Sequence, residues 1–258
     1  MKSSSGFALA AAGILGLSSA IPTQLQKRTG ESPGDPFYVT VDCTGTEAVC
    51  NADCFAILCL DAPNPTQWDA KKGDDKRRLS GYSSTDLKAD YEKRLSWGID
   101  ISDEVLDKTG RSMEETVMAN AVQGGEGEII VPVQPDQNMQ LGARVIGQMK
   151  HEGVQDQLWY YRVFNNFGSG APYCVALQAD YAPDVEICTR EDKSADDPAK
   201  IAFTRVEPVP EEGHAQFHMI DPENIGDRWT GRYWQAGPSK KVKREVEDVK
   251  QKAEKSEA

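Results

Sequence analysis

The pattern of apolar and polar positions along this chain predicts a domain that contains both helices and strands. Apolar residues alternate with polar ones over 37–41, and an aromatic and β-branched run covers 158–164, as expected for strands. Over 48–60, and from Met139 to Met149, the apolar residues recur at helical spacing. We therefore expect the α+β class, with a mixed sheet.

The remaining elements follow from helix-end signals and from short apolar runs. A Ser, Thr or Asn side chain just before a helix accepts a hydrogen bond from a free backbone N–H group, and a glycine commonly ends the helix. On this basis helices are predicted to begin at Thr85, Ser102 and Asn138 and to end near Gly98, Gly110 and Lys150, and further strands are predicted over 128–133, 173–177 and 201–206.

The beginning of the chain has the features of a secretory leader. Lys2 precedes a short apolar segment, and Ser18-Ser19-Ala20 is a typical cleavage site, so residues 1–20 are predicted to be a signal peptide. Lys27-Arg28 predicts a pro-segment over 21–28, with an ordinary solvated pair as the alternative. The protein is therefore expected to be secreted and extracellular.

The rest of the chain is predicted to be one domain and a tail. Residues 29–237 are long enough for a single sizeable core. The tail over 238–258 combines many charges of both signs without aromatic residues, which is typical of disorder. The apolar segment of the leader is too short to span a bilayer, and no later segment reaches that length, so we expect no association with a membrane.

Export determines how the cysteines are interpreted. An even number of cysteines in an oxidising compartment predicts three disulfides, and the sequence alone allows fifteen connectivities. The six cysteines are Cys43, Cys50, Cys54, Cys59, Cys174 and Cys188. Cys174 and Cys188 flank a plausible turn and are predicted to pair with each other. The domain is therefore expected to be stabilised by disulfides.

Charge argues against tight binding of duplex DNA by the surface as a whole. The chain has 29 basic and 41 acidic residues, and the acidic excess lies in the domain because the first 28 residues contain no acid. Non-specific binding to DNA draws its affinity from Lys and Arg side chains on phosphates. Arg77 and Arg78 form the densest basic point in the domain and are candidate phosphate ligands. A solvated surface turn is the alternative for this segment.

The segment from Ser112 to Gly142 contains the residues with the clearest potential for chemistry. It holds the acid pair Glu114-Glu115, then Gln123-Gly124-Gly125, a short apolar run and Asn138. Metal-dependent phosphodiester hydrolysis requires hard oxygen ligands and a base held close together, and this segment supplies both. Two solvated acids in a polar turn are the alternative.

The order and spacing of these residues resemble the NucA/NucB family of secreted, non-specific deoxyribonucleases, and within it the fungal branch. That family has an Asp-Glu pair, then Gln-Gly-Gly, then an Asn followed by Gln-Gly, and an Arg-Arg ahead of a Gly. Here Glu114-Glu115, Gln123-Gly124-Gly125, Asn138 and Arg77-Arg78 match, over about Asp42 to Phe167. The family's Asp is replaced by Glu, and its neighbouring Cys and Tyr-Pro are absent.

The resemblance implies a metal-finger core, two strands and a helix around one divalent ion such as Mg²⁺ or Mn²⁺. It implies that Glu114 or Glu115 activates water while the other supports or ligates the metal, with Glu115 favoured because it aligns with the family's Glu. Neighbours on a strand point to opposite faces, so both side chains are not expected to reach one ion. Asn138 is expected to position the metal or the backbone, and Arg77 and Arg78 are expected to bind the substrate.

Two functions follow from these observations. The first is a monomeric, secreted, metal-dependent nuclease that hydrolyses the phosphodiester bonds of DNA. The second is a binding or structural module on the same fold, with a decayed site and an unidentified protein partner. The surviving acids, Gly124-Gly125 and Asn138 favour the first, whereas the lost Tyr-Pro, the Glu in place of Asp and the acidic composition favour the second.

Overall fold

Helices and two sheets make up the part of the chain that the computed structural model describes, residues 28–125, 127–180, 182–205 and 215–220. The strands are β1 (Phe37–Asp42), β2 (Thr66–Gln67), β3 (Ser112–Glu115), β4 (Ile130–Val133), β5 (Trp159–Asn165), β6 (Phe203–Arg205) and β7 (Phe217–Met219). The helices are α1 (Glu47–Leu60), α2 (Gly73–Ser80), α3 (Tyr91–Ser96), α4 (Asp103–Thr109), α5 (Pro135–Glu152), α6 (Pro172–Leu177) and α7 (Pro198–Ile201). The expected α+β class is confirmed.

The first sheet is mixed, as expected. Its strand order is β1-β5-β2, with β1 parallel to β5 and β2 antiparallel to it. Inward and outward residues alternate along β5, and its buried positions include Tyr160, Arg162 and Phe164. A charged arginine therefore faces the core at the centre of this sheet.

The second sheet has the order β3-β4-β6-β7 and is antiparallel throughout. All four residues of β4 are buried, which explains its unbroken apolar sequence. Helix α5 follows β4 directly and contacts β1 and β3. The strands β3 and β4 and the helix α5 therefore form a strand–strand–helix unit.

Helix α1 lies at the centre of the core. Most of its residues are buried, because it contacts α5, α6, α7 and the 3₁₀ helix Val185–Thr189. One of these buried residues is Asp53, which lies between apolar neighbours. A helix surrounded in this way has no broad solvent face, which explains its nearly continuous apolar sequence.

Three disulfides link α1 to the rest of the domain, and the prediction of three bridges is confirmed. Cys43 pairs with Cys50, Cys54 with Cys174, and Cys59 with Cys188, at Cα–Cα distances of 6.0, 5.0 and 5.5 Å. The predicted Cys174–Cys188 pair is wrong. The physical reason is that α6 and the Val185–Thr189 helix both pack on α1, which brings each of these cysteines to a partner on that helix.

Several predicted elements are confirmed. The strands expected over 37–41, 128–133 and 158–164 are β1, β4 and β5, and the helix expected over 48–60 is α1. The Ser102 side chain caps α4, where it accepts a hydrogen bond from the Val105 backbone N–H. The strand expected over 201–206 is present as β6 over Phe203–Arg205, because α7 occupies its first position; residue 206 lies outside the described residues.

Two predicted helix starts are wrong. Thr85 is extended and follows a 3₁₀ helix (Tyr82–Ser84), and α3 begins later because the Asp90 side chain provides its cap. Helix α5 begins at Pro135, since proline fits the first helical position. Asn138 lies inside the first turn of α5 and is not its cap.

The segment 173–177 was predicted to be a strand, and it forms α6. Its apolar run is too short for periodicity to separate a strand from a buried helix. Pro172 begins this helix, and the Asn51 side-chain oxygen accepts a hydrogen bond from the Tyr173 backbone N–H at 2.9 Å. A contact distant in sequence therefore satisfies one of the free N–H groups at the start of α6.

The signal peptide over 1–20, most of the pro-segment over 21–28, the tail over 238–258 and the segment 221–237 lie outside the described residues. Among the residues that are described, no helix is both long and apolar enough to cross a membrane.

The disulfides should contribute unequally to stability. With Cys59–Cys188 intact, the shortest path between Cys54 and Cys174 runs through that bridge, so removing Cys54–Cys174 releases a loop of about 19 residues, whereas removing Cys43–Cys50 releases a loop of 7. Loop-closure entropy assigns roughly 3.2 kcal/mol to the longer loop and roughly 2.4 kcal/mol to the shorter one. We expect Cys54→Ser/Cys174→Ser to lower the free energy of unfolding in urea by more than Cys43→Ser/Cys50→Ser. Equal losses for the two double variants would contradict this ranking.

Candidate active site

Strand β3 places two consecutive acidic residues, Glu114 and Glu115, at the centre of the candidate site. In the β3–β4 pair, Glu114 lies opposite Val131 and Glu115 lies opposite Ile130. Neighbours on a strand point to opposite faces, and these two side chains have different partners accordingly. Glu115 contacts α2, whereas Glu114 lies near groups of α1 and β5.

Glu115 is almost completely buried between β3 and α2. Its carboxylate accepts a hydrogen bond of 2.7 Å from the Ser80 hydroxyl, and the Arg77 Nε atom lies 3.8 Å from its second oxygen. Burial raises the pKa of Glu115 from 4.5 to about 7, while the Ser80 hydrogen bond and the Arg77 charge act in the opposite direction. Glu115 is therefore a carboxyl group that exchanges its proton near neutral pH.

Glu114 belongs to a second group of charges with Asp53 and Arg162. Arg162 donates a hydrogen bond of 2.7 Å to Asp53 and another of 2.8 Å to the Thr116 carbonyl oxygen. Burial raises the pKa of Glu114 well above its usual value, and the charge of Asp53 raises it further. Burial also raises the pKa of Asp53 to about 6, against the attraction of Arg162. Two carboxyl groups therefore share one arginine.

The loop between β3 and β4 is held by a further buried acid, Glu128. Its carboxylate accepts hydrogen bonds from the backbone N–H groups of Val117, at 3.0 Å, and Gly125, at 2.7 Å. Gly125 has a φ of +107°, and a Cβ atom at Gly124 would lie 2.8 Å from the Met118 carbonyl oxygen. Both glycines of the Gln-Gly-Gly motif are therefore required by the close packing of this loop.

A cavity of about 240 Å³ opens beside Asp53, Glu114 and Glu115. Of the site residues expected from the sequence, Glu114, Glu115, Asn138 and Arg77 line it. Arg78 does not line it; its guanidinium group points elsewhere and lies 3.3 Å from Asp75. The structure therefore brings together all but one of the expected non-cysteine site residues.

Four residues of the cavity were not predicted from the sequence: Asp53, Arg162, Asn120 and Tyr82. Ser80 and Glu128, which hold the acids and their loop in place, were not predicted either. A signal was present for three of them. Asp53, Glu128 and Arg162 are charges inside or next to runs of apolar residues, and buried charges require partners.

The oxygen atoms of the cavity suit a hard divalent cation. Asp53 Oδ1 and Asn120 Oδ1 are buried without a hydrogen-bond partner, and both residues line the cavity. Asn138 uses its amide nitrogen to donate to the Ser112 hydroxyl and the Met113 carbonyl oxygen. Within the described ranges, no three His, Cys, Asp or Glu side chains are grouped as a complete metal site. Mg²⁺ commonly uses only one or two carboxylates together with water and substrate phosphates, so the residues present fit such an ion.

Comparison with protein-family models, with curated proteins and with solved structures found no match to this chain. The function of the cavity is therefore inferred from its own residues and from the resemblance of its motifs.

The pH dependence of stability follows from the raised pKa of Glu115. Between pH 4.5 and about 7 the folded protein keeps this proton, whereas the unfolded chain has released it. Stability from Glu115 is therefore fully present below pH 4.5 and is lost as the pH rises through about 7. The free energy of unfolding should fall between pH 5 and pH 8, and it should fall less in Glu115→Gln than in the unaltered protein, by up to about 3 kcal/mol. Urea unfolding with chelator present measures both proteins.

The exposed Glu104, in the first turn of α4, provides the matched control. Glu104→Gln should leave the pH dependence unchanged. The same slope in Glu115→Gln and the unaltered protein would show that Glu115 titrates as an ordinary carboxylate.

Proposed function

We propose that this chain is a secreted, monomeric, metal-dependent deoxyribonuclease of the NucA/NucB type, which hydrolyses the phosphodiester bonds of DNA. The observation that carries the proposal is the cavity in which Glu114, Glu115, Asp53 and Asn138 meet beside Arg77. Carboxylate and amide oxygens next to a partly exposed guanidinium group are the chemistry that a metal-bound phosphodiester requires.

The strand–strand–helix unit β3, β4 and α5 serves as the metal finger in this proposal. Glu114 and Asp53 hold the ion, assisted by an amide oxygen of Asn120 or Asn138. We assign this role to Glu114 and not to Glu115 because Glu114 and Asp53 share a single positive charge, that of Arg162. A divalent cation would balance the remaining negative charge. When bound, Mg²⁺ or Mn²⁺ neutralises the charge that develops on the phosphate oxygens.

Glu115 acts as the general base. Its carboxylate lines the cavity, and the Ser80 hydroxyl and Arg77 fix its position from the side of α2. A water molecule attacks the phosphorus atom, its proton passes to the Glu115 carboxylate, and the bond from phosphorus to the leaving oxygen breaks. The leaving oxygen takes up a proton from solvent water and departs as a hydroxyl group. The Ser80 contact keeps the Glu115 oxygens in place, and such positioning is what general-base catalysis depends on.

Arg77 binds the phosphate. Its side chain is half exposed at the cavity, within reach of both Asp74 and Glu115. A surface ion pair such as Arg77–Asp74 contributes little stability, so a phosphate can replace Asp74 at small cost. The disulfides are consistent with a protein that works outside the cell.

A binding or structural module is the second candidate, and one observation favours it. The chain has a net charge of −12, and the lining of the cavity includes three acidic side chains against two arginines. An acidic surface disfavours DNA and favours a basic protein partner. Cleavage of DNA by the unaltered protein separates the two candidates.

Glu115→Gln should abolish most of the nuclease activity, because it removes the base and keeps the shape of the side chain. We expect kcat to fall by about 10²- to 10⁴-fold, the usual contribution of a general base. The measurement is cleavage of plasmid and single-stranded DNA by the oxidised protein with Mg²⁺ or Mn²⁺, and chelator should stop the reaction.

Glu104→Gln controls for the change of charge and should cleave DNA like the unaltered protein. Circular dichroism and free-thiol assays establish that each variant is folded and oxidised. If the folded, unaltered protein leaves both DNA substrates intact with either metal, the nuclease proposal fails and the binding module remains.

The two neighbouring arginines on α2 form a second matched pair. Arg77→Met should lower kcat/KM about tenfold to hundredfold, because it removes a charged hydrogen bond to the phosphate. Arg78→Met should have little effect, since Arg78 lies outside the cavity lining and is 72% exposed. Steady-state kinetics on a fluorescent oligonucleotide measure both. Equal losses would indicate a general effect of positive charge on α2.

A further inference from the structure

Two large apolar side chains are exposed at the edge of an otherwise polar cavity. Tyr82 is 36% exposed and Met139 is 69% exposed, and both line the cavity that contains Glu114 and Glu115. Large exposed apolar side chains next to a cluster of convergent polar groups are typical of ligand sites. Neither side chain has a role in the hydrolysis proposed above.

The backbone holds these two side chains on different elements. Tyr82 follows Gly81, which ends α2 with a φ of +87° and packs so closely on Phe217 that a Cβ atom there would lie 2.9 Å from the ring. Met139 lies on α5, next to Asn138. Gly142 lies one turn further along α5 and also lines the cavity, and a Cβ atom added there would meet no atom within 4 Å. The wall of the cavity is therefore open beside Met139.

The charges of the cavity fit a flexible single strand better than a duplex. Its lining contains two cations, Arg77 and Arg162, and Arg162 is only 2% exposed and already bonded to Asp53. One accessible cation serves one phosphate, whereas a duplex gains its affinity from many such contacts and has the higher density of negative charge. Glu115 is 8% exposed, so a phosphate must enter the recess to reach it. A single strand can bend into such a recess, and a stacked duplex cannot without being opened.

We propose that the cavity takes single-stranded DNA, with one base stacked on Tyr82 and supported by Met139 while the adjacent phosphate reaches Arg77 and the acids. This inference rests on the proposed function, whose substrate it specifies. An aromatic ring binds any base because every base has a π-face, so the site selects the single strand without selecting its sequence. The volume of about 240 Å³ is below the range for a whole drug-sized ligand, so the cavity admits one nucleotide and not a helix.

The test measures binding separately from cleavage. In the Glu115→Gln background with Mg²⁺, fluorescence anisotropy gives the Kd of a labelled single-stranded oligonucleotide and of the duplex with the same sequence. We expect the single strand to bind more tightly. Tyr82→Ala should weaken its binding about 5- to 150-fold, the range that corresponds to the loss of one stacked base. Tyr82→Phe should retain the affinity, because the ring is preserved.

Two controls distinguish a local effect from a general one. Tyr38 is 47% exposed on β1 and does not line the cavity, so Tyr38→Ala should not change the Kd. Gly142→Leu places a side chain in the open wall and should weaken single-strand binding, whereas Gly147→Leu, on the same helix with equally open surroundings, should not. Both glycine variants exchange Gly for a better helix former, so neither should unfold α5.

The outcomes separate this inference from the proposed function. Equal or tighter binding of the duplex, or an unchanged Kd in Tyr82→Ala, overturns the single-strand inference even if the unaltered protein cleaves DNA. Binding of the single strand that depends on Tyr82, together with no cleavage by the unaltered protein, overturns the nuclease proposal and supports the binding site.

Discussion

The buried pair of Arg162 and Asp53 is the interaction on which the candidate site depends. Arg162 lies in the central strand of the mixed sheet, Asp53 lies in the central helix, and both are at most 2% exposed. A further bond from Arg162 reaches the Thr116 carbonyl oxygen just after β3, so one guanidinium group joins three parts of the chain. Removing one partner of such a pair leaves an unpaired buried charge, which typically costs about 3–5 kcal/mol. The position of the acids on β3 therefore depends on an arginine distant from them in sequence.

The site also collects three carboxyl groups where burial is high. The carboxyl groups of Asp53, Glu114 and Glu115 all have raised pKa values because burial disfavours their charged forms. A protein core accepts such a group when it is paired, hydrogen-bonded or close to a metal, and raised pKa values are common at functional sites. A purely structural core gains little from three neighbouring carboxyl groups, which makes the cluster more consistent with a site than with packing alone.

The sequence predicted local features better than distant ones. The alternation in β1, the apolar length of α1 and the Ser102 cap depend on neighbouring residues, and each is present. The disulfide partners of Cys174 and Cys188 depend on which elements pack together, and spacing along the chain does not contain that information. For the same reason Glu114, Glu115 and Asn138 could be found in one segment, whereas Asp53 and Arg162 come from distant elements. Arg77 and Arg78 looked equivalent in sequence, and only the orientation of α2 distinguishes them.

The connectivity of the disulfides has a consequence for the order in which the chain can mature. Cys54 and Cys59 appear early during synthesis, but their partners follow 120 and 129 residues later. Until Cys174 emerges, the thiols near the beginning of the chain have only each other as partners, and Cys43–Cys50 is the sole native bridge that they can form. Correct oxidation therefore requires either that Cys54 and Cys59 remain reduced until Cys174 and Cys188 have been made, or that an isomerase exchanges premature pairs through mixed disulfides. The last cysteine made thus determines when the first helix can be fixed in place.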